Sequence, residues 1–258
     1  MALNILISND DGYEATGINI LKDVLLKLEH NVYVVAPDKN QSATSHSLTL
    51  TVPLRIKEVS KNEWITTGTP TDCVLLATHG LIKDKIDLVF SGINHGPNMG
   101  EDVIYSGTVA AAMEGVMVGI PSVAVSMAGF SNLNFESAYN VIPCIIKLIK
   151  KMRKKNLLLN VNIPNVSADM NRGIKITRLG SRVYADTLIK KKDPRGKNYY
   201  WIGGALPSFK VKKGTDFEAI DLNFTSVTPI TIDLTDYSQI EKLENKSKEL
   251  ECECRLMI

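Results

Sequence analysis

The sequence has few of the features that mark membrane, secreted or nucleic-acid-binding proteins. No apolar run approaches the roughly 20 residues that cross a bilayer. The formal net charge is only +2, too small to suggest a membrane surface or a nucleic-acid duplex as a partner. The first residues lead straight into a predicted strand, without a basic stretch before an apolar one, so no secretory leader is expected. We therefore expect a cytoplasmic protein.

Cysteine is also scarce, with four among 258 residues. Cys73 and Cys144 lie in apolar runs and are interpreted as small core residues. Cys252 and Cys254 have neither a second cysteine pair nor a nearby histidine to complete a zinc site. Hydrophobic residues make up 44% and charged residues 22%, which excludes a disordered chain and predicts an ordinary globular core.

Short apolar runs alternate with segments of helical periodicity through residues 1–165. Such runs are typical of strands buried on both faces, and their alternation with helices implies parallel pairing. We predict strands over 4–8, 32–36, 86–90 and 122–126, and helices over 16–28, 69–81, 107–118 and 135–152. Thr16 is the expected N-cap of the first helix. Residues 1–165 are therefore predicted to form a doubly wound, mostly parallel, Rossmann-like α/β core.

The composition and the residue pattern of the sequence change after Pro164. Residues 173–234 are rich in glycine, proline and β-branched residues, and a charged segment follows over 237–251. These patterns predict β-hairpins and a terminal helix. We therefore assign 166–258 to a C-terminal hairpin-and-helix extension, which is expected to serve oligomerisation.

Oxygen-bearing side chains follow three of the predicted strands. Asp10 and Asp11 come directly after the first, Ser42 follows the second, and Asn94 follows the strand over 86–90. Ligands of open α/β sheets bind at the carboxyl ends of the strands. Adjacent carboxylates repel each other unless a cation lies between them, and hard oxygen donors suit Mg²⁺ or Mn²⁺. The pattern predicts a divalent-metal site; the alternative is that the two aspartates merely begin a turn.

A second candidate site lies before the alanine-rich helix. Ser106, Gly107 and Thr108 form a small, hydroxyl-bearing helix start. Free N–H groups and the positive end of the helix dipole can hold a phosphate there. An ordinary N-cap is the alternative interpretation. A phosphate beside a metal at one sheet edge would make the two candidate sites support each other.

Several motifs together resemble the SurE family of survival-protein 5′-nucleotidases. They occur in family order along nearly the whole chain: SNDDG at 8–12, APD at 36–38, GTPTDC at 68–73, SGIN at 91–94, YSGTV at 105–109 and DPRG at 193–196. The chain departs from the family at Asn223 and Phe224, where Gly-Tyr is common. This departure concerns a local turn and lies outside the candidate site.

The resemblance implies a phosphatase that converts nucleoside 5′-monophosphates to nucleoside and phosphate, with one Mg²⁺ or Mn²⁺ ion per subunit. It implies Asp10, Asp11, Ser42 and Asn94 as metal ligands. Asn98 would be a further catalytic residue beside Asp10 and Asp11, and Ser106, Gly107 and Thr108 would lie near the phosphate. It also implies a homodimer or homotetramer in which C-terminal segments are exchanged.

We expect hydrolysis by a metal-activated water that one carboxylate of the pair orients or deprotonates. Asn98 and the N–H groups near Gly107 would stabilise the phosphate charge. The alternative is that Asp10 acts as a covalent nucleophile, but the Asp-x-Asp spacing of aspartyl-phosphate enzymes is absent.

Other classes of function fit the sequence less well. A dinucleotide-binding oxidoreductase lacks support because the first turn has no G-x-G-x-x-G fingerprint. A receiver domain would need an aspartate after the strand over 86–90, where the sequence reads SGIN. A non-catalytic nucleotide sensor, and a phosphatase of other phosphomonoesters or polyphosphate, stay open, and the preference for base and sugar is not encoded in any motif.

Overall fold

The computed structural model describes residues 2–152, 156–183, 188–202, 208–209 and 211–249. Cys252, Cys254 and the end of the helix predicted to reach residue 251 lie outside these ranges. Cys73 is buried as predicted, but Cys144 is exposed, so its assignment to the core is wrong. It lies on a helix whose buried positions are the neighbouring Val141, Ile142, Ile145 and Ile146, and its own position faces away from them.

The described residues form thirteen strands and six α-helices. The strands are β1 (Asn4–Ser8), β2 (Asn31–Pro37), β3 (Ile56–Ser60), β4 (Glu63–Thr66), β5 (Leu88–His95), β6 (Ser122–Ala128), β7 (Leu158–Pro164), β8 (Ile174–Ile176), β9 (Arg182–Val183), β10 (Leu188–Lys192), β11 (Asn198–Ile202), β12 (Ser208–Phe209) and β13 (Thr225–Pro229). The helices are α1 (Thr16–Lys27), α2 (Pro70–Leu76), α3 (Gly107–Met117), α4 (Ala138–Met152), α5 (Asp216–Asp221) and α6 (Tyr237–Glu249).

Nine strands pair in the order β3-β4-β2-β1-β5-β6-β7-β13-β8. The pairs from β4 through β7 are parallel, whereas β3 runs antiparallel to β4 and β13 runs antiparallel to β7. Two separate pairs, β10 with β11 and β9 with β12, are antiparallel. The prediction of a mostly parallel α/β sheet is confirmed.

Helices cover both faces of the sheet, as the continuous apolar strands require. Alternate residues of β1 point to opposite faces: Ile5 and Ile7 pack with residues of α1 and α4, while Leu6 packs with residues of α2 and α3. This alternation buries a strand on both sides, which explains why its sequence is a continuous apolar run rather than an alternating one. None of the helices in the described ranges is long and apolar enough to cross a bilayer.

The cap of the first helix and the end of one strand differ from the predictions. The N-cap of α1 is Ala15, with no side-chain cap, so the assignment of that role to Thr16 is wrong. β5 does not end at Phe90 but continues to His95, with a register shift against β6 between Ser91 and Asn94. Asn94 therefore lies on the strand and not after it. The register shift lies in the last part of β5, next to the carboxyl edge of the sheet.

The segment after Pro164 is only partly made of hairpins. β10 and β11 form one, and α6 is present, as predicted. β8 and β13, however, join the main sheet beyond β7, and a short helix, α5, precedes β13. The hairpin interpretation is wrong for those two strands, because their pairing partners are distant in sequence and leave no local pattern.

Candidate active site

The predicted site residues gather at the carboxyl edge of the parallel strands. Asp10 and Asp11 follow β1, and Asn94 lies near the end of the adjacent strand β5. Thr108, in the first turn of α3, contacts Asp10 directly. This edge is where ligands of open α/β sheets bind.

Asp10 is almost fully buried, with 4% of its surface exposed. Its Oδ1 accepts a hydrogen bond from Thr108 Oγ1 at 2.5 Å. Burial raises the pKa of Asp10 to about 6; the Thr108 hydrogen bond opposes this rise, and the charge of Asp11 adds to it. The fold thus holds a carboxyl group where a negative charge is unfavourable without a compensating cation.

Asp11 is half-buried beside it, and its Oδ2 accepts a hydrogen bond from the backbone N–H of His95 at 3.0 Å. The turn that carries both carboxylates is closed by Asn9, whose Nδ2 donates to the Gly12 carbonyl at 2.8 Å. Gly12 has a φ of 98°, a backbone conformation that favours glycine. The turn that the sequence predicts after β1 therefore sets the orientation of the two carboxylates.

The two neutral ligand candidates are placed differently. Asn94 Nδ2 donates to the Gly96 carbonyl at 2.9 Å, which fixes the side-chain amide, and its Oδ1 accepts no hydrogen bond from any described residue. Ser42 is exposed on the loop that follows β2. That loop is tied to the site by its neighbour Gln41, whose N–H donates to the Asp10 carbonyl at 2.7 Å. Within the described residues, the Ser42 hydroxyl has no hydrogen bond to either carboxylate.

The start of α3 packs directly on Asp10. Ser106 is the N-cap, and its Oγ accepts the N–H of Val109 at 3.1 Å. A Cβ atom added to Gly107 would lie 2.9 Å from the Asp10 Cβ and 3.0 Å from its Oδ2, so only glycine allows this approach. The Thr108 hydroxyl donates to Asp10, and the Thr108 backbone N–H also lowers the pKa of that carboxyl group. Thr108 therefore positions the carboxylate, a role that the sequence did not reveal.

Asn98 lies in a buried hydrogen-bond network that sequence reasoning missed. Its Nδ2 donates to Ser126 Oγ at 2.7 Å, and its backbone N–H donates to Asn162 Oδ1 at 2.8 Å. Its carbonyl accepts from the side chains of Asn160 and Asn162 at 2.8 and 2.9 Å. Two asparagines at alternate positions of the otherwise apolar β7 were the available signal, because polar residues buried in a strand need partners.

The donor set fits a hard divalent cation. Within the described ranges, no group of three or more His, Cys, Asp or Glu side chains is placed to hold a metal ion. The candidate ligands are instead two carboxylates and two neutral oxygens. Such a set suits Mg²⁺ or Mn²⁺ better than a soft metal. A buried carboxylate with a raised pKa beside a second carboxylate is a place where a cation would relieve repulsion.

The family model that matches this chain and two similar proteins all bear the name SurE. The family model described as "Survival protein SurE" matches residues 5–186. The chain is 47% identical over 244 residues to the 5′-nucleotidase SurE of Methylobacillus flagellatus, covering 94% of this chain and 98% of that protein. It is 45% identical over 249 residues to the 5′-nucleotidase SurE of Vibrio cholerae, covering 96% and 98%.

The fold is also similar to a solved structure. The crystal structure of the SurE protein from Aquifex aeolicus superimposes with a TM-score of 0.84 at 42% sequence identity. The match covers 95% of this chain and 99% of that one. The likeness therefore extends beyond the sheet to the residues that follow it.

Proposed function

The chain belongs to the SurE family of survival proteins, and on this premise we propose that it is a divalent-metal-dependent 5′-nucleotidase. It hydrolyses nucleoside 5′-monophosphates to nucleoside and phosphate. The observation that carries this proposal is the contact between Thr108 Oγ1 and Asp10 Oδ1 at 2.5 Å. This hydrogen bond joins the N-terminus of a helix to a pair of carboxylates. Helix N-termini favour phosphate, and paired carboxylates favour a divalent cation.

We propose that one Mg²⁺ or Mn²⁺ ion per subunit is held by Asp10, Asp11, Ser42 and Asn94. When bound, such a cation neutralises phosphate charge and lowers the pKa of a coordinated water. Asn94 supports this assignment because its Oδ1 accepts no bond from the described residues while its Nδ2 is fixed on Gly96. Ser42 is carried by a loop pinned next to Asp10 through Gln41.

The chain's own groups can bind and orient the phosphate. The Ser106 Oγ accepts the Val109 N–H, which leaves its hydroxyl hydrogen free to donate to a phosphate oxygen. The Gly107 N–H lies at the open first turn of α3, where helix N–H groups lack intrahelical partners. Asn98 Nδ2 donates one hydrogen to Ser126, and its second hydrogen, which bonds to no described residue, is available to the phosphate. These donors are positioned to stabilise charge on the equatorial oxygens.

Asp10 and Asp11 differ in burial and in hydrogen bonding, and this difference bears on their roles in the reaction. The Thr108 hydroxyl holds Asp10 in place, and burial withdraws the carboxylate from solvent. Asp11 is less buried, and among the described residues the backbone N–H of His95 is the group that holds it. Either carboxylate can orient the attacking water or take its proton, and the more open position of Asp11 favours it for that task.

We also propose a homodimer or homotetramer assembled through residues 166–258. The β10–β11 hairpin supports this proposal, since Leu188 and Trp201 on it are 65% and 63% exposed. Exposed apolar side chains on an extended hairpin are typical of subunit contacts. The division into a core (1–165) and this extension is part of the proposal, and the cytoplasmic location stays a prediction.

The proposal is tested by measuring phosphate release from a panel of nucleoside 5′-monophosphates. The protein is first stripped with EDTA and then supplied with Mg²⁺ or Mn²⁺. We expect release that requires the added metal. If no nucleotide is hydrolysed with either metal, although nucleotide binding persists, the protein is a sensor. Faster cleavage of polyphosphate or of other phosphomonoesters would move the substrate to those classes.

A further inference from the structure

A large apolar side chain stands in solvent at the edge of the sheet where the candidate site lies. Phe130 is 72% exposed and follows β6, whose carboxyl end faces the site. A single exposed apolar residue is ordinary, so its position at the edge that holds the candidate site is what carries the argument. The core does not account for this ring.

The ring lies beside one of the proposed metal ligands. A Cβ atom built on Gly96 would be 3.9 Å from Phe130 Cε1 and 3.9 Å from Asn94 Nδ2. Phe130 Cε1 and Asn94 Nδ2 therefore lie on either side of, or near, one point beside Gly96, and the distance between them is at most twice 3.9 Å. A substrate held at Asn94 and at the start of α3 would extend past this point.

The loop that carries Phe130 is fixed by a neighbouring side chain. Asn165 Oδ1 accepts the N–H of Asn134 at 2.7 Å, and its Nδ2 donates to the carbonyls of Ser131 and Asn132 at 3.4 Å each. The residue before Phe130 is Gly129, where an added Cβ would lie 2.6 Å from Asn165 Nδ2. A ring held by such a loop loses little freedom when a ligand stacks on it.

Two of the other rings at this edge, those of His95 and Phe135, are engaged. The His95 ring packs against Phe135 with centroids 5.7 Å apart, and its Nε2 accepts the N–H of Gly17 at 3.2 Å. Phe135 packs against the hydrophobic core. Among the described residues at this edge, Phe130 and Tyr105 are 72% and 61% exposed, and Phe130 is the one that flanks Asn94 across Gly96.

We propose that Phe130 is the platform on which the nucleobase of the substrate stacks. This inference rests on the proposed nucleotidase function and assigns the base a place in the site. In a nucleoside monophosphate the base is separated from phosphorus by one ribose, which directs it outward from the metal ligands. Because every base has a π-face, a single stacking ring selects for the presence of a base and not for its identity.

The test compares AMP with ribose 5-phosphate, which carries the same phosphate and sugar but no base. For Phe130→Ala we expect kcat/KM for AMP to fall about tenfold through KM, the size of one base–aromatic stack. The value for ribose 5-phosphate should not change. Phe130→Tyr and Phe130→Trp should restore the AMP value. Leu26→Ala serves as a control that should change neither value. Leu26 is likewise an exposed apolar residue, but it lies near the C-terminal end of α1.

A second readout separates stacking from catalysis. Adenosine, the product without phosphate, should inhibit the wild-type enzyme, and Phe130→Ala should weaken this inhibition by a similar factor. Equal losses for AMP and ribose 5-phosphate, or no loss for either, would overturn the stacking role. A wild-type protein that cleaves ribose 5-phosphate but not AMP would instead refute the proposed function itself.

Discussion

Thr108 Oγ1 donates to Asp10 Oδ1 at 2.5 Å, so the first turn of α3 and the end of β1 are joined by a buried hydrogen bond. Gly107 makes this possible, since any larger side chain there would collide with Asp10. The bond sets the spacing between the carboxylate pair and the donors of the helix start. Two features that look separate in the sequence are one unit in the fold.

Thr108→Val should therefore damage catalysis while preserving side-chain shape. We expect kcat/KM for a nucleoside monophosphate to fall roughly 10- to 100-fold, since a hydrogen bond to a charged group contributes about 1.5–3 kcal/mol. Thr108→Ser keeps the hydroxyl and should retain most of the activity. Steady-state kinetics on both variants checks this, and equal rates for Val and wild type would show that the bond has no catalytic role.

Ser106→Ala should affect both stability and activity. Loss of the cap contact with Val109 should cost about 1 kcal/mol of unfolding free energy. Loss of the hydroxyl donor should also lower kcat/KM at least about tenfold. Thr215→Ala removes a comparable cap from α5, where Thr215 Oγ1 accepts the Glu218 N–H at 3.3 Å. This control should lose stability without the loss of activity; denaturant unfolding and kinetics on both proteins distinguish the effects.

The loop that carries Ser42 should depend on a pair formed by His46 and Glu114. His46 Nε2 lies 3.0 Å from Glu114 Oε2, and the Glu114 side chain is 7% exposed on α3. His46→Ala should raise the Mn²⁺ concentration needed for half-maximal activity, because the loop loses an anchor. In a double-mutant cycle with Glu114→Gln, we expect a coupling energy of about 1 kcal/mol. Additive effects of the two substitutions would show that the pair does not act as a tether.

Asp216 should stabilise the fold by holding three backbone N–H groups. Its Oδ2 accepts from Gly100 at 2.8 Å, and its Oδ1 accepts from Gly180 and Phe217 at 2.8 and 2.9 Å. Asp216→Asn turns one acceptor into a donor and should cost about 1–3 kcal/mol. Asp221→Asn, at an exposed position of the same helix, should change stability by less than about 0.5 kcal/mol. Urea unfolding of both variants is the measurement.

The sequence predicted four strands of the parallel core because each of them carries a local signal, whereas β4 and β7, which also pair in parallel, were not predicted. β1, β2 and β6 are apolar runs that end in turn residues, and the structure places them within two residues of the expected bounds. The predicted end of β5 is too early because Gly92 and Asn94 are typical turn residues. In the structure, pairing with β6 continues the strand past them. β13 and β8 were missed as sheet strands because their positions depend on pairing at long range.

The sequence allowed the candidate residues to be grouped at one edge of the sheet, but it did not predict their contacts. Asp10, Asp11 and Asn94 could be placed together because parallel strands end at one edge. The role of Thr108 could not be foreseen, because a hydroxyl at a helix start equally suits a phosphate, a cap or a carboxylate. The partners of Asn98 are likewise set by tertiary packing, and only the alternating Asn160 and Asn162 hinted at them.

The central claim is that the carboxylate pair holds a cation for nucleotide hydrolysis. The most direct measurement is phosphate release from AMP during a Mn²⁺ titration of chelator-treated protein, with wild type and Asp10→Asn side by side. We predict saturable activation of the wild type and no activation of Asp10→Asn, although the variant keeps its fold because an amide oxygen can still accept from Thr108. Near-normal, metal-activated turnover by a folded Asp10→Asn protein would contradict the claim.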